Sequence, residues 1–355
     1  MRVRVAVVAV GVGILGAVVA AQQSAPHLNP MVDVLAAKKP IFGVTNPTNG
    51  RGGGGRGGNR GGGGAAGAAG ATATPTPTPE TPPPPPPPQK TPVELAKDAL
   101  AHPEADYLFN GNMEGGVDRA LEAFTTFADA LVEAGGIATT PYPHLKAPFA
   151  VKTPIVKTDP AKAIENIGRQ LNAGVTTIIM TGVETVDEVN TAISAMRFKS
   201  KGGVRSEDIG QAAKYWGLTD AQYRAKADLW PLNPDGNLLL WVIVESKPGL
   251  ANVRQIAATK GISVMFTGAG TLGGVFSTVG PDGRRVRDDA AWEAANQQIL
   301  SACKEAKLPC GYPANQNDIE SRMKEGFSAF IIQSFSDAGF KAVELGRAAG
   351  GRDKR

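Results

Sequence analysis

Glu245 closes an otherwise apolar run, LLLWVIV, and Gly268-Ala269-Gly270-Thr271 follows a second apolar segment, VMF. In an α/β protein consecutive parallel strands deliver their C-terminal ends to one face, so the acid and the glycine turn meet there. Together they make a small-anion site. A lone buried carboxylate is costly, and a divalent cation with oxygen ligands is one resolution. Glycines let backbone N–H groups approach an anion with no Cβ in the way. Each signal has a plainer reading: Ser246-Lys247-Pro248 after Glu245 suits an acid that complements a helix N-terminus, and a tight turn also needs glycine. The turn is no dinucleotide fingerprint, because no acidic residue follows about 20 positions on at a strand end. Glu184, just before the capping box Thr185 to Glu188, reads as a dipole complement.

Other chemistries are thin. His27, His102 and His144 are the three histidines, and Cys303 and Cys310 the two cysteines, which nearly excludes a zinc site of Cys and His type. His144, in PYPHLKAP, reads as a surface-loop residue. The formal charge of +4 falls to +2 without Arg2 and Arg4, too little for an electrostatic claim on nucleic acid. Small neutral or anionic partners fit better.

Arg2 and Arg4, an apolar run over 5–20 and Val19-Ala20-Ala21 before Gln22 have the form of a signal peptide over 1–21, so export to the periplasm or beyond is expected, with no stable membrane span after cleavage. An uncleaved anchor is the other reading, against which the run is short for a span of about 20 residues. Export makes a Cys303–Cys310 disulfide chemically possible, and two packed thiols fit the spacing equally.

The positioning elements follow from periodicity. A short helix over 32–39 and a strand over 40–44 precede a low-complexity tract. After it come a helix over 93–101, a strand over 107–109 and an amphipathic helix over 117–134 with Leu121, Phe124, Phe127 and Leu131 on one stripe. Strands over 150–156 and 177–180 bracket a helix over 160–173, and the Thr185 capping box opens a helix to Met196. Residues 198–237 read as irregular, with one helix over 220–227. Strands over 239–244, 263–266, 310–314 and 329–334 then alternate with helices over 249–258, 290–307, 319–325 and 337–349. Eight strands in this alternation predict one (β/α)8 TIM barrel of about 250 structured residues. A doubly wound open sheet is the alternative.

The tract 51–89 is glycine-rich, then proline-rich with seven prolines from Pro82 to Pro88. No packed core can come from it; its second half predicts stiff polyproline of about 3.1 Å per residue. The chain therefore divides into a signal peptide (1–21), the first helix and strand (22–50), a disordered Gly/Pro-rich insertion after the first strand (51–89), the rest of the barrel (90–350) and a basic tail (351–355). Three arginines in glycine, Arg51, Arg56 and Arg60, are too few to read as an RNA-binding segment.

From Leu28 to about Gly350, apart from the insertion, the chain resembles the HpcH/HpaI aldolase/citrate lyase family. The resemblance rests on LNPMVDVLAAKKPIFGV, DYLFNGNMEGG, TPIVK, LNAGVTTIIMTGVETVDEVNTAISAMRF and VESKPGLANVRQIAATKGISVMFTGAG, in that order. It implies cleavage or formation of a carbon–carbon bond beside a small 2-oxo or 4-hydroxy-2-oxo acid. In such a reaction a divalent metal (Mg²⁺ or Mn²⁺) holds the oxo acid and stabilises its enolate, an arginine assists, and a histidine–aspartate pair moves protons.

Carried over, Glu245 matches the first metal carboxylate, while Thr271 falls where the second is expected. Lys157 of TPIVK stands for the arginine, without its bidentate fork. Asn112 and Gly115 replace the aspartate and histidine, leaving Glu114. The resemblance thus implies a metal at Glu245 and Thr271, catalytic roles for Lys157 and Glu114, a carboxylated substrate on Gly268, Ala269, Gly270 and Thr271, and a homo-oligomer. A degenerate barrel that only binds a carboxylated ligand, or serves as an exported assembly protein, is the alternative.

Overall fold

Closure of the sheet distinguishes the two architectures that the alternation allows. The computed structural model describes residues 26–49 and 88–352; the expected signal peptide and nearly all of the Gly/Pro-rich tract lie outside the described residues. Eight strands run parallel: β1 Ile41–Thr45, β2 Tyr107–Asn110, β3 Phe149–Thr153, β4 Thr177–Met180, β5 Leu238–Val244, β6 Val264–Thr267, β7 Cys310–Pro313 and β8 Ala329–Ile332. Each pairs with the next. The ring shuts where Thr177 meets Leu239 between β4 and β5 and Ile41 meets Ala329 between β1 and β8. This is a (β/α)8 TIM barrel, not an open sheet.

Strand alternation sorts the core into two layers. Inside, Ile41, Tyr107, Ala150, Ile179, Trp241, Phe266 and Ile331 belong to one buried cluster, which also takes Met31, Val32 and Leu35 from the helix Pro30–Ala36. That N-terminal helix therefore closes the bottom of the barrel. The interior is filled by aromatics: the Tyr107 ring meets Trp241 edge-on at 5.3 Å and its hydroxyl donates to the Phe330 carbonyl at 2.6 Å. A Cβ on Gly43 would lie 2.1 Å from the Tyr107 ring, so only glycine admits that side chain. Outside, the stripe predicted for the helix Val117–Glu133 packs on the barrel, Phe124 and Phe127 lying 4.8 and 6.1 Å from the Phe149 ring.

Several local expectations change. The strand expected over 150–156 stops at Thr153 because Pro154 has no N–H for the ladder, and a 3-10 turn Val156–Thr158 follows. The stretch 198–237 is more ordered than read: helices Ala212–Trp216 and Asp220–Lys226 precede a two-residue strand, Leu229–Trp230, that adds to the edge of β5. Cys303 and Cys310 are joined as a disulfide.

The insertion leaves and returns at one place. Asn49 and Lys90 clasp each other, the Asn49 amide donating to the Lys90 carbonyl at 2.7 Å and accepting from the Lys90 N–H at 2.8 Å. Far from the mouth, Arg352 binds the buried Asp106 carboxylate through two nitrogens at 2.5 and 2.8 Å, and Arg347 approaches it at 3.5 Å. Arg352, expected in a basic tail, is thus folded into the barrel's base.

Candidate active site

The register of three strands aims three residues into the mouth. Leu239, Trp241 and Ile243 face inward on β5, so the next inward position is Glu245. Val264 and Phe266 face inward on β6 and are followed by Gly268. Ala150 faces inward on β3, which makes Lys152 the next. Glu245, Gly268 and Lys152 line one cavity of about 1030 Å³ with Ala269, Gly270 and Thr271, so the strand-end acid and glycine turn do share a site.

Glu245 is held by its neighbours. Its Oε1 accepts the Gly182 N–H at 2.9 Å, and the Thr271 hydroxyl lies close enough to lower its proton affinity. A Cβ on Gly268 would lie 2.6 Å from Oε2 and 2.3 Å from the Glu245 Cβ. Burial raises its pKa above the usual carboxylate value, against the opposing pull of the Thr271 hydroxyl, the Lys152 charge and the Gly182 N–H. The helix-terminus role goes instead to Ser246, whose hydroxyl caps the helix Lys247–Ala251 by accepting from the Gly249 N–H at 3.1 Å. Glu245 is free to face the cavity.

Lys157 does not line this cavity. It pairs with Glu184 at 2.7 Å, and Glu184 also accepts the Ser246 hydroxyl at 2.8 Å. The Lys157 bond holds the Glu184 carboxyl below its ordinary value, so Glu184 is a strut at the strand end. The lysine at the cavity is Lys152, 19% exposed, with its Nζ 2.8 Å from Glu114 Oε2. Glu114 therefore reaches the site only through Lys152. The sequence reading missed Lys152, although its even spacing from inward Ala150 marks it.

A second unforeseen feature is the hairpin of Ser277–Val279 with Arg285–Arg287 after the short helix Ala269–Val275. Arg285, Val286 and Arg287 line the rim. Arg287 stacks 4.1 Å over Trp292, whose Nε1 donates to the Ala269 carbonyl at 2.8 Å, tying the hairpin base to the glycine turn.

None of the three histidines lines the cavity. His27 bonds Asp33 at 2.6 Å, His102 stacks on Phe340 at 3.4 Å, and His144 bonds the Tyr142 carbonyl at 2.8 Å, part-buried in a two-residue strand. The expected metal ligands can be tested by donor set. Glu245 supplies one carboxylate, whose Oε1 already accepts the Gly182 N–H and whose Oε2 is packed close to Gly268. Thr271 supplies only a neutral hydroxyl, and the charge that lowers the proton affinity of Glu245 is the Lys152 cation. Among the described residues no group of three His, Cys, Asp or Glu side chains converges. This set does not fit a resident divalent ion, which wants several free oxygen ligands.

A closed (β/α)8 barrel with a half-buried acid, a lysine and a glycine turn at its C-terminal mouth is the architecture of a barrel enzyme site. The family model of HpcH/HpaI aldolase/citrate lyase matches residues 125–330, and the chain belongs to that family. It is 27% identical over 209 residues to the 5-keto-4-deoxy-D-glucarate aldolase of Salmonella gallinarum, covering 58% of this chain and 74% of the relative. In structure it resembles an HpcH/HpaI aldolase/citrate lyase family protein from Burkholderia cenocepacia (TM-score 0.58, 20% identity, 90% of this chain and 97% of the other). It also resembles the HpcH/HpaI aldolase of Desulfitobacterium hafniense (TM-score 0.54, 13% identity, 85% and 88%). The family is of the aldolase/citrate lyase type, which sets the lyase class at family level.

Proposed function

We propose that the chain is a carbon–carbon lyase of the aldolase type, acting on a small 2-oxo or 4-hydroxy-2-oxo acid in the Glu245–Lys152 cavity. The observation that carries this is the convergence of Glu245, Lys152 and the Gly268–Thr271 turn at one mouth of a family barrel. Lys152 takes the role assigned from sequence to Lys157. In a 4-hydroxy-2-oxo acid, Glu245 accepts the proton of the C4 hydroxyl and the C3–C4 bond breaks. The aldehyde leaves, and the bond's electrons pass to the ketone oxygen as an enolate facing the Lys152 ammonium. Return of the proton to C3 gives the shorter 2-oxo acid. A raised pKa at Glu245 suits such a shuttle, since a general base works best poised near the operating pH. The Mg²⁺ or Mn²⁺ that the resemblance implies would have Glu245 as its one carboxylate, and no step above runs through it.

The test is turnover. Mature protein is given oxaloacetate and a series of 4-hydroxy-2-oxo acids, with and without Mg²⁺ or Mn²⁺, and release of pyruvate is followed. Absence of turnover above the metal-only blank under every condition refutes the lyase. One observation favours a second reading, a barrel that binds a carboxylated ligand without cleaving it: no histidine reaches the cavity. Ligand-induced stabilisation without turnover would then be seen. Export through residues 1–21 and assembly as a homo-oligomer are further parts of the proposal, tested by cell fractionation and by light scattering.

A further inference from the structure

The cavity presents an electrostatic substitution. A divalent ion in an oxo-acid lyase holds the carboxylate and ketone oxygens and neutralises the enolate. Here Thr271 offers no carboxylate, and Glu245 is engaged by the Gly182 N–H and the close packing of Gly268. Lys152, Arg285 and Arg287 are the cations that line the cavity, and of these it is Lys152, held by Glu114 at 2.8 Å, whose charge lowers the proton affinity of Glu245. An incoming divalent ion at Glu245 would meet that like charge in a partly desolvated place, where repulsion is poorly screened.

We infer that the ammonium of Lys152 stands in for the metal, so that the cavity captures a 2-oxo acid through Lys152 with no divalent ion in the complex. An ammonium carries three N–H donors and no acceptor. One is held by Glu114, which orients the side chain, and two remain for the carboxylate and ketone oxygens of the ligand. Lys152 thereby binds through directed hydrogen bonds of charge-assisted strength, while Glu245 stays beside the ligand as a proton carrier. Glu114 is a positioning residue: it touches Lys152 and is absent from the cavity wall. One positive charge replaces two, so enolate stabilisation is weaker and turnover slower than a metal would give.

This rests on the proposed function only in taking the cavity as the ligand site, and its test reads binding. Pyruvate is titrated calorimetrically into the mature protein in excess EDTA and again in millimolar Mg²⁺, and the metal content of the purified protein is measured. The same affinity in both buffers, within about twofold, is expected. Lys152→Gln is expected to lose about tenfold or more in affinity, the equivalent of one charge-assisted hydrogen bond, while Lys152→Arg retains most of it. Thermal melts show that both variants fold; should the Lys152→Gln protein not fold, Glu114→Gln, which frees the ammonium from its strut, carries the arm with a smaller loss. Binding abolished by EDTA, tightened tenfold by Mg²⁺, or indifferent to the Lys152 and Glu114 changes overturns the inference. Lys152-dependent binding without turnover leaves it standing while the lyase reading fails; turnover that needs Mg²⁺ does the reverse.

Discussion

Replacing Gly268 with alanine tests whether the turn exists to seat Glu245. Gly268 has φ −79°, an ordinary value, so alanine is conformationally allowed and only space is at issue. The added Cβ would stand 2.3 Å from the Glu245 Cβ, 2.6 Å from Oε2 and 3.0 Å from Ile243 Cγ2, where ordinary contact lies at 3.4–4 Å. The closest of these atoms belongs to the root of the side chain, so the turn and the end of β5 must part by about 1 Å to reach ordinary contact. Overpacking of this kind costs about 1–3 kcal/mol, and the smaller entropy of the unfolded alanine chain returns about 0.4–1 kcal/mol. A net destabilisation of about 1–2 kcal/mol is expected, together with a loss of pyruvate affinity because Glu245 is displaced. Gly270→Ala is the control: it lies in the helix Ala269–Val275, nothing stands within 4 Å of its added Cβ, and it should gain about 0.5–1 kcal/mol. Urea unfolding and calorimetric titration of both variants give the answer. A Gly268→Ala protein as stable and as tight-binding as its parent refutes the packing argument.

Three further outcomes follow from named contacts. Asp106→Ala removes the buried carboxylate that Arg352 and Arg347 share and should cost about 3–5 kcal/mol in urea unfolding, the usual penalty for breaking a buried pair. Lys157 holds the Glu184 carboxyl below its ordinary 4.5; a depressed folded-state value stabilises fully above the unfolded value and fades as pH falls through the folded one. Acid unfolding should therefore be less steep below pH 4.5 in Lys157→Met than in the parent, and the two proteins should converge at the acid extreme. Reduction of the Cys303–Cys310 bridge, which spans a sequence separation of 7, should lower stability by about 2.5 kcal/mol from loop entropy, read as a shift in the urea midpoint with reductant.

The architecture was legible because each strand announces itself locally, in runs such as TIIM and LLLWVIV between capping boxes and prolines. Closure followed from the count of eight strands, but the register did not, since no residue of β4 or β5 states that Thr177 will lie beside Leu239. At the site, Glu245 and the glycine turn could be read because both follow strand ends directly. Lys152 could not be read from motif register, which pointed five residues further to a lysine of the same charge in TPIVK. What separates the two lysines is parity. Lys152 is two residues from inward Ala150, still within β3, whereas Pro154 ends the strand and sends Lys157 out to Glu184. The same parity rule, applied to β5 and β6, selects Glu245 and Gly268. Inward alternation is thus the stronger guide here: it uses only the geometry of the barrel, while motif register assumes that a charge keeps its place after its partners have changed. Thr271 shows the consequence, since the residue that motif register placed as a metal ligand brings only a hydroxyl beside Glu245.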